Sequence, residues 1–236
     1  MPDSDLNLGF TVDGWQPPPL PAKESMEGNH CRLTRLDPET HTADLFAAFT
    51  KDTENIDWTY LPYGPFDSPS TLKTWLEAVA GESDPLFYTV MDSQEKAVGV
   101  ASYLRITPAS GSIEVGHIHF SPRLQKTPAA TEAMYLMMKH AFALGYRRYE
   151  WKCDALNQRS RRAALRLGLS FEGIFRQATV YKGRNRDTAW YATIDLEWPK
   201  LKTAFEAWLD PANFDASGKQ GMSLSDLTAP VLVVSE

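Results

Sequence analysis

Three stretches, LFYTVMD, AVGVASYLRI and SIEVGHIHFS, follow one another between residues 86 and 121, joined by the short polar turns DSQEK and TPASG. Each is rich in the β-branched and aromatic residues that favour strands. A parallel connection needs a crossover of a dozen or more residues, so turns this short impose an antiparallel meander.

The flanking segments alternate between helix and strand. HCRLTRLDPE reads as a strand, and DPETHTADLFAAFTKD as a helix opened by Asp37 and Pro38 with Leu45, Phe46 and Phe49 on one face. An aromatic loop, ENIDWTYLPYGPFDS, carries a turn signal at 63–65; a second helix starts at Ser68 or Ser70 and stops near Gly81. After the meander, a helix of about 16 residues runs from Pro128 towards Gly145, with Ala130, Met134, Met137, Ala141 and Leu144 at helical spacing. RRYEWKCDAL is a strand, NQRSRRAALRLG a helix capped by Asn157 and closed by Gly168, and a hairpin around GRNR precedes a last helix in PKLKTAFEAWL. The order predicts an α+β fold: a single mixed, mostly antiparallel twisted sheet flanked by helices.

The chain's 236 residues suit one domain with appendages. Residues 1–29 include GWQPPPLPAKES, whose prolines can neither continue a helix nor join a central strand, so they form a Pro-rich arm. The arm is expected to pack on its own chain through Phe10, Trp15 and Leu20, the alternative being a partner subunit. The domain then spans 30–209, and 210–236 read as an irregular tail with a short apolar end. A net charge of −6 and pI near 5.4 argue against sequence-independent nucleic-acid binding, which needs excess Lys and Arg. Cys31 and Cys153 are too far apart in sequence for a CxxC site and make no disulfide framework. With neither a signal-peptide pattern nor an apolar run near the roughly 20 residues that span a bilayer, a cytoplasmic setting without membrane contact is expected.

Two stretches carry candidate chemistry. SPRLQKTPAATEAM joins a strand to a helix N-terminus, where unpaired N–H groups and about half a positive charge attract phosphate. NQRSRRAALRLGLSFEG places Arg159, Arg161, Arg162 and Arg166 on one short helix, which on its own reads as a solvated face. The Lys-Ser/Thr of a P-loop is missing, and so is its parallel β-α order. Together the two stretches resemble the GNAT superfamily of acyl-CoA-dependent N-acetyltransferases, within it the branch similar to ribosomal-protein alanine acetyltransferases. The superfamily signature, Arg or Gln, two residues, Gly, one residue, Gly or Ala, falls on Gln125, Lys126, Thr127, Pro128, Ala129 and Ala130, with Pro128 in place of the first Gly. Thr131, Glu132 and Ala133 match the branch's helix start, and Asn157, Ser160 and RLGLSFEG its downstream pattern; the likeness covers roughly residues 28 to 200.

The resemblance implies acetyl-CoA as cofactor, with coenzyme A as product. Its pyrophosphate would lie on the amides of Lys126, Thr127, Ala129 and Ala130 in the segment opened by Gln125. The pantetheine arm would pair with Ile118, His119 and Phe120, one of whose N–H groups would polarise the thioester carbonyl; such a donor contributes about 3 to 4 kcal/mol to the transition state. Asn157 would meet the pantetheine amide. Ser160 would give a proton to the leaving thiolate, because Ala164 stands where many members carry a Tyr acid. The acceptor-side loop offers Trp58, Tyr60, Tyr63 and Phe66 as walls, or as aromatics packed over the sheet edge.

Glu114 is the candidate general base, with a cross-strand ion pair as the alternative. In a regular strand His117 and His119 face away from it; an HxH pair without a third ligand nearby predicts no metal site. A lysine amine near 10.4 costs some 4 to 5 kcal/mol to neutralise at pH 7, an α-amine near 8 only about 1.4. Without an obvious strong base, an α-amine of a peptide, a protein N-terminus or an aminoacyl small molecule is the expected acceptor, attacking directly in a ternary complex. A non-catalytic acyl-CoA sensor on the same fold is the alternative, and a homodimer through the C-terminal hairpin or the arm stays open.

Overall fold

The computed structural model describes residues 8–21 and 25–234. One eight-stranded sheet forms the centre, ordered β1 (Met26–Glu27), β2 (Cys31–Arg35), β3 (Leu86–Asp92), β4 (Ala97–Thr107), β5 (Ser112–Phe120), β6 (Arg148–Asp154), β8 (Arg184–Ile194), β7 (Ser170–Tyr181). All neighbours pair antiparallel except β5 and β6, which run parallel. The mixed, mostly antiparallel sheet is therefore as the turn lengths predict.

Helices cover both faces. α1 (Pro38–Phe49) and α2 (Pro69–Ala80) bury Leu45, Phe49, Leu72 and Leu76 against Phe87 and Val100. On the opposite face α3 (Pro128–Ala143), α4 (Gln158–Arg166) and α5 (Trp198–Leu209) pack on Tyr88, Tyr103 and Tyr149. Each start has a local cause: the Asp37 carboxylate accepts the Glu39 N–H, Ser68 and Thr71 form a reciprocal capping box, and Asn157 accepts the Ser160 N–H. The hairpin turn is Lys182–Gly183, both residues at positive φ (48° and 71°) as a two-residue turn requires, so the GRNR stretch begins in the turn and continues as strand β8. No described helix is long and apolar enough to cross a membrane.

The arm touches its own chain differently from expectation. Phe10 and Leu20 are exposed, at 77% and 61%, whereas Pro18 is buried and Trp15 packs its ring against Gly111 and Arg147. Tyr146 Oη donates to the Pro19 carbonyl at 3.1 Å. Two residues of the stretch read as arm, Met26 and Glu27, join the sheet as its edge strand. The tail, expected to be irregular, contains α6 (Leu224–Thr228), and fully buries Leu224 and Thr228. Thr228 Oγ1 donates to the Arg166 carbonyl, and the Phe171 N–H donates to the Val234 carbonyl.

Two irregularities in β5 shape the cleft beside it. β5 pairs with β6 only from Ser112↔Arg148 to Val115↔Trp151; beyond that point the strands part, leaving a wedge between Gly116–Phe120 of one and 152–154 of the other. His117, at φ 50°, is an extra residue: Gly116 pairs with Ser102, but His119 pairs with Val100. A bulge reverses the alternation beyond it. His119 thus lies on the same face as Glu114, correcting the regular-strand expectation that put them on opposite faces.

Candidate active site

The wedge between β5 and β6 opens into a cleft of about 1280 Å³. It is walled by Glu114, Ile118, His119 and Phe120 from β5, Gln125, Lys126, Thr127 and Ala130 from the loop into α3, Asn157 and Ser160 from α4, and Tyr60 from the loop before α2. The structure therefore brings together most of the residues singled out in sequence.

At one end lies the junction before α3. The Leu124 and Gln125 N–H groups both donate to Ser121 O, closing a tight turn. Of the four amides expected to cradle phosphate, two are partly committed: Thr127 N–H donates to Leu124 O and Ala130 N–H to Thr127 Oγ1, each at a long 3.3 Å. The Lys126 and Ala129 amides have no partner among the described residues. Lys126 takes the left-handed conformation (φ 62°), so the position that wants glycine is 126 rather than 128. Pro128 occupies the first turn of α3, where its missing N–H would be unpaired anyway. Ala129, whose amide is expected in the cradle, does not line the cleft but a separate hollow beside Asn29 and His30.

Gln125 is occupied with positioning. Its Nε2 donates to the Phe120 carbonyl at 2.7 Å and to Asp57 Oδ2 at 2.6 Å, tying the acceptor-side loop to the end of β5. Burial raises the Asp57 carboxyl above its ordinary range, and the Gln125 bond opposes that.

In the middle of the cleft, Ser160 Oγ accepts the Trp151 indole N–H at 2.9 Å, which leaves its own hydroxyl proton to donate. Asn157 Oδ1 is spent on the Ser160 N–H as the helix cap; its amide group remains for a ligand.

Glu114, 2% exposed, is held between two cations. Arg105 Nη1 donates to Oε1 at 2.7 Å, and Lys152 Nζ lies 2.9 Å from Oε2 as an ion pair without hydrogen-bond alignment. The cross-strand ion pair offered as the alternative to a base is present. Burial raises the carboxyl above the ordinary range, and Arg105 and Lys152 pull it back.

The aromatic loop divides. Tyr60 lines the cleft, and its Oη donates to the Leu156 carbonyl at 3.2 Å. Trp58 is 3% exposed and does not line the cleft; its ring stacks on His119 at 3.6 Å and presses on Gly64, where any Cβ would sit 2.3 Å from the indole. Tyr63 and Phe66 flank Trp75 in the same cluster, away from the cleft. These three pack neither in the cleft nor over a sheet edge but on the face of the interior strands β3, β4 and β5, because apolar area buried under α1 and α2 outweighs exposure to a wet cleft.

The histidines belong to that cluster as well. Tyr63 Oη and His117 Nδ1 are 3.1 Å apart, and His119 Nε2 has no hydrogen-bond partner. Burial pushes His119 down to about 3 and His117 to about 4, the latter aided by Arg105 and Arg186. Both lie below the unfolded value of about 6.5, so the unfolded chain binds more protons in acid. Stability is then full above about pH 6.5 and falls as pH drops towards 4. Urea midpoints at pH 7.5 and pH 5.0 are expected to show the loss, and His119→Phe, which keeps the ring without the titration, to shrink it.

Several cleft residues had no readable signal. Lys152, Asp154, Tyr181, Arg186 and the tail's Gln220 all line the cleft. Of the four arginines around α4, Arg166 turns inward, donating to Thr131 Oγ1 at 3.1 Å and lying 5.0 Å from the Trp208 ring. The cleft wall holds six Lys or Arg against three carboxylates, although the chain as a whole is acidic. Volume, free amides at a helix start, an excess of cations and an unpaired strand edge together fit a long polyanionic ligand such as acetyl-CoA. Among the described residues no three of His, Cys, Asp and Glu gather as a metal site.

Comparison with known proteins agrees. The family model described as an acetyltransferase (GNAT) domain matches residues 31–170. A GCN5-related N-acetyltransferase from Brucella melitensis is 44% identical, with a TM-score of 0.90 over 92% of this chain and 100% of that one. A probable acetyltransferase (GNAT family) from Chromobacterium violaceum ATCC 12472 is 40% identical, with a TM-score of 0.77 over 82% of this chain and 98% of that one. RimL, the ribosomal L7/L12 alpha-N-protein acetyltransferase, shares the fold at 22% identity and a TM-score of 0.62, covering 72% of this chain and 94% of its own. No curated protein matches the sequence. With a family model spanning β2 to the start of β7 and close relatives along nearly its whole length, the chain belongs to the GNAT family of acetyltransferases.

Proposed function

We propose that this protein moves an acetyl group from acetyl-CoA to the α-amine of a peptide, a protein N-terminus or an aminoacyl small molecule, by direct attack in a ternary complex. The observation that carries the choice of acceptor is the weakness of the bases in the cleft. His117 and His119 are locked in an aromatic cluster, and Glu114 is shared between Arg105 and Lys152. A carboxylate raised by burial but restrained by two cations is a modest base. It suits an amine near 8, which costs about 1.4 kcal/mol to neutralise at pH 7, and not one near 10.4.

Acetyl-CoA supplies an activated thioester whose acetyl carbon is open to attack. Lys126 and Ala129 offer their free amides to its pyrophosphate, with Arg166 beside them as a cation. Ile118, His119 and Phe120 present a strand edge that β6 has left unpaired, and Asn157 faces it with its side-chain amide. Ser160, its oxygen engaged by Trp151, holds a proton ready for the sulfur. The new N–C bond replaces the C–S bond, one amine proton leaves through Glu114 to solvent, and the departing thiolate is protonated through the Ser160 hydroxyl, which takes up a proton from solvent as it passes its own to the sulfur.

Two measurements test this. A peptide acetylated only at its α-amine, with Nα-blocked lysine peptides turned over at least about 30-fold less efficiently, is the expected outcome; the reverse preference would sink the acceptor assignment. Ser160→Ala should lower kcat about 10- to 100-fold, the low end of general-acid effects because a thiolate leaves readily, with acetyl-CoA affinity within about 3-fold. An unchanged kcat removes Ser160 from the proton path.

A further inference from the structure

Arg186 is a cation without an anion. It lines the cleft half-buried, and among the described residues no carboxylate pairs with it. Its Nε donates to the buried Thr188 Oγ1 at 3.1 Å, which orients the guanidinium and leaves both Nη groups unmatched. The Tyr181 ring lies 5.8 Å beneath, itself fixed by its hydroxyl donating to Asp154 Oδ2 at 2.9 Å.

Its location places it at the acceptor's half of the cleft. β8 pairs with β6 so that Thr188 faces Asp154, which puts Arg186 just past the end of β6, on the far side of the wedge from the β5 bulge. Its charge acts on both walls, on His117 of β5 and on Cys153 of β6. Two other cations there are ion-paired: Arg105 with Glu114, and Lys152 with Glu114 and Glu150. Lys126 and Arg166 serve the α3 end.

A guanidinium keeps its charge at any working pH, and its planar fork matches a carboxylate or phosphate with two parallel hydrogen bonds. Leaving such a group half-buried and unpaired is costly unless a ligand completes it. We infer that Arg186 reads an oxyanion, carboxylate or phosphate, carried by the acceptor itself, so that the substrate is a small amine bearing its own negative group. This rests on the acceptor reading above and narrows it: small α-amino acids, short peptides with a free carboxylate and aminoalkyl or aminoacyl phosphates are favoured over neutral amines, polyamines and lysine side chains. The field of Arg186 would also disfavour an ammonium nearby, helping the amine arrive neutral.

The test uses the full chain saturated with coenzyme A, titrated calorimetrically with matched pairs: α-amino acids and dipeptides against their carboxamides, and aminoalkyl phosphates against the corresponding amino alcohols. Thiol release from acetyl-CoA is measured for the same pairs. At least one anionic member should bind and turn over 10-fold or more better than its neutral partner, and the arm in which this occurs identifies carboxylate or phosphate. Arg186→Gln should reduce that preference below about 3-fold through KM, Arg186→Lys should retain part of it, and acetyl-CoA affinity should stay within about 3-fold in both. The inference is overturned if no anionic member is preferred, or if Arg186→Gln lowers both members of a pair equally through kcat. Anion-selective binding without thiol release sinks the enzymatic reading and leaves this one standing; thiol release indifferent to the anion does the opposite.

Discussion

Ala130→Asp should weaken acetyl-CoA binding at least about 100-fold while leaving the fold as stable as before. Ala130 is the third residue of α3 and lines the cleft where the helix start meets the turn. A carboxylate there sits well with the helix dipole and contributes roughly 0.3 to 1 kcal/mol to the helix. Towards a pyrophosphate it acts the other way: a like charge about 4 Å off, at an effective dielectric near 20, repels by about 4 kcal/mol, more than the 2.7 kcal/mol that a 100-fold loss needs. Ala130→Asn is the control of equal size and no charge, expected to bind within about 10-fold of the natural chain. Calorimetric titration with acetyl-CoA and a thermal melt on each protein decide the matter. If Asp and Asn lose affinity equally, the cradle is sensed through shape and not through charge.

The second large effect is on stability. Glu132 is 3% exposed, with no cation within salt-bridge distance among the described residues, yet its carboxylate is fully occupied. Oε1 accepts the Asn29 N–H at 2.8 Å, and Oε2 accepts the His30 and Cys31 N–H groups at 2.6 and 2.9 Å. Three backbone dipoles do the work of a counter-charge and clasp the start of β2 to α3. Burial and the nearby Glu132 push the Cys31 thiol far above its ordinary value, so that thiol stays protonated. Glu132→Ala leaves the buried Cys31 amide without a partner and returns the part-buried Asn29 and His30 amides to water, and is expected to cost about 2 to 3 kcal/mol, seen as a lower urea midpoint. Gly28→Ala should reproduce part of that loss, since a Cβ there would sit 2.4 Å from the Glu132 carboxylate. A Glu132→Ala protein as stable as the natural chain would contradict the clasp.

These two residues show what was legible and what was not. The sequence pattern around Ala130 pointed to an anion site because a strand, a turn and a helix start are local features, written within about ten residues. The same locality made the caps at Asp37, Ser68 and Asn157 readable, as well as the meander. Glu132 lay inside the motif that carried the family resemblance, yet its partners are about a hundred residues earlier, and nothing in its spacing reports them. The β5 bulge was invisible because one extra residue leaves hydropathy almost unchanged while reversing which face His119 occupies. Trp58, Tyr63 and Phe66 looked like pocket walls because a loop rich in aromatics has no period to show which face is buried. Arg166 and Arg186 were hidden for a related reason: a cation seen in sequence carries no mark of whether an acid waits beside it.

The most direct measurement is thiol release from acetyl-CoA, followed together with mass analysis of the acceptor, across α-amines of amino acids, peptides and aminoacyl compounds. Free thiol should appear in equal amount to a product 42 Da heavier at its α-amine, about one acetyl for each hydrogen replaced. Acetyl-CoA that binds tightly but releases no thiol with any amine would contradict the account and leave a protein that senses the cofactor without using it.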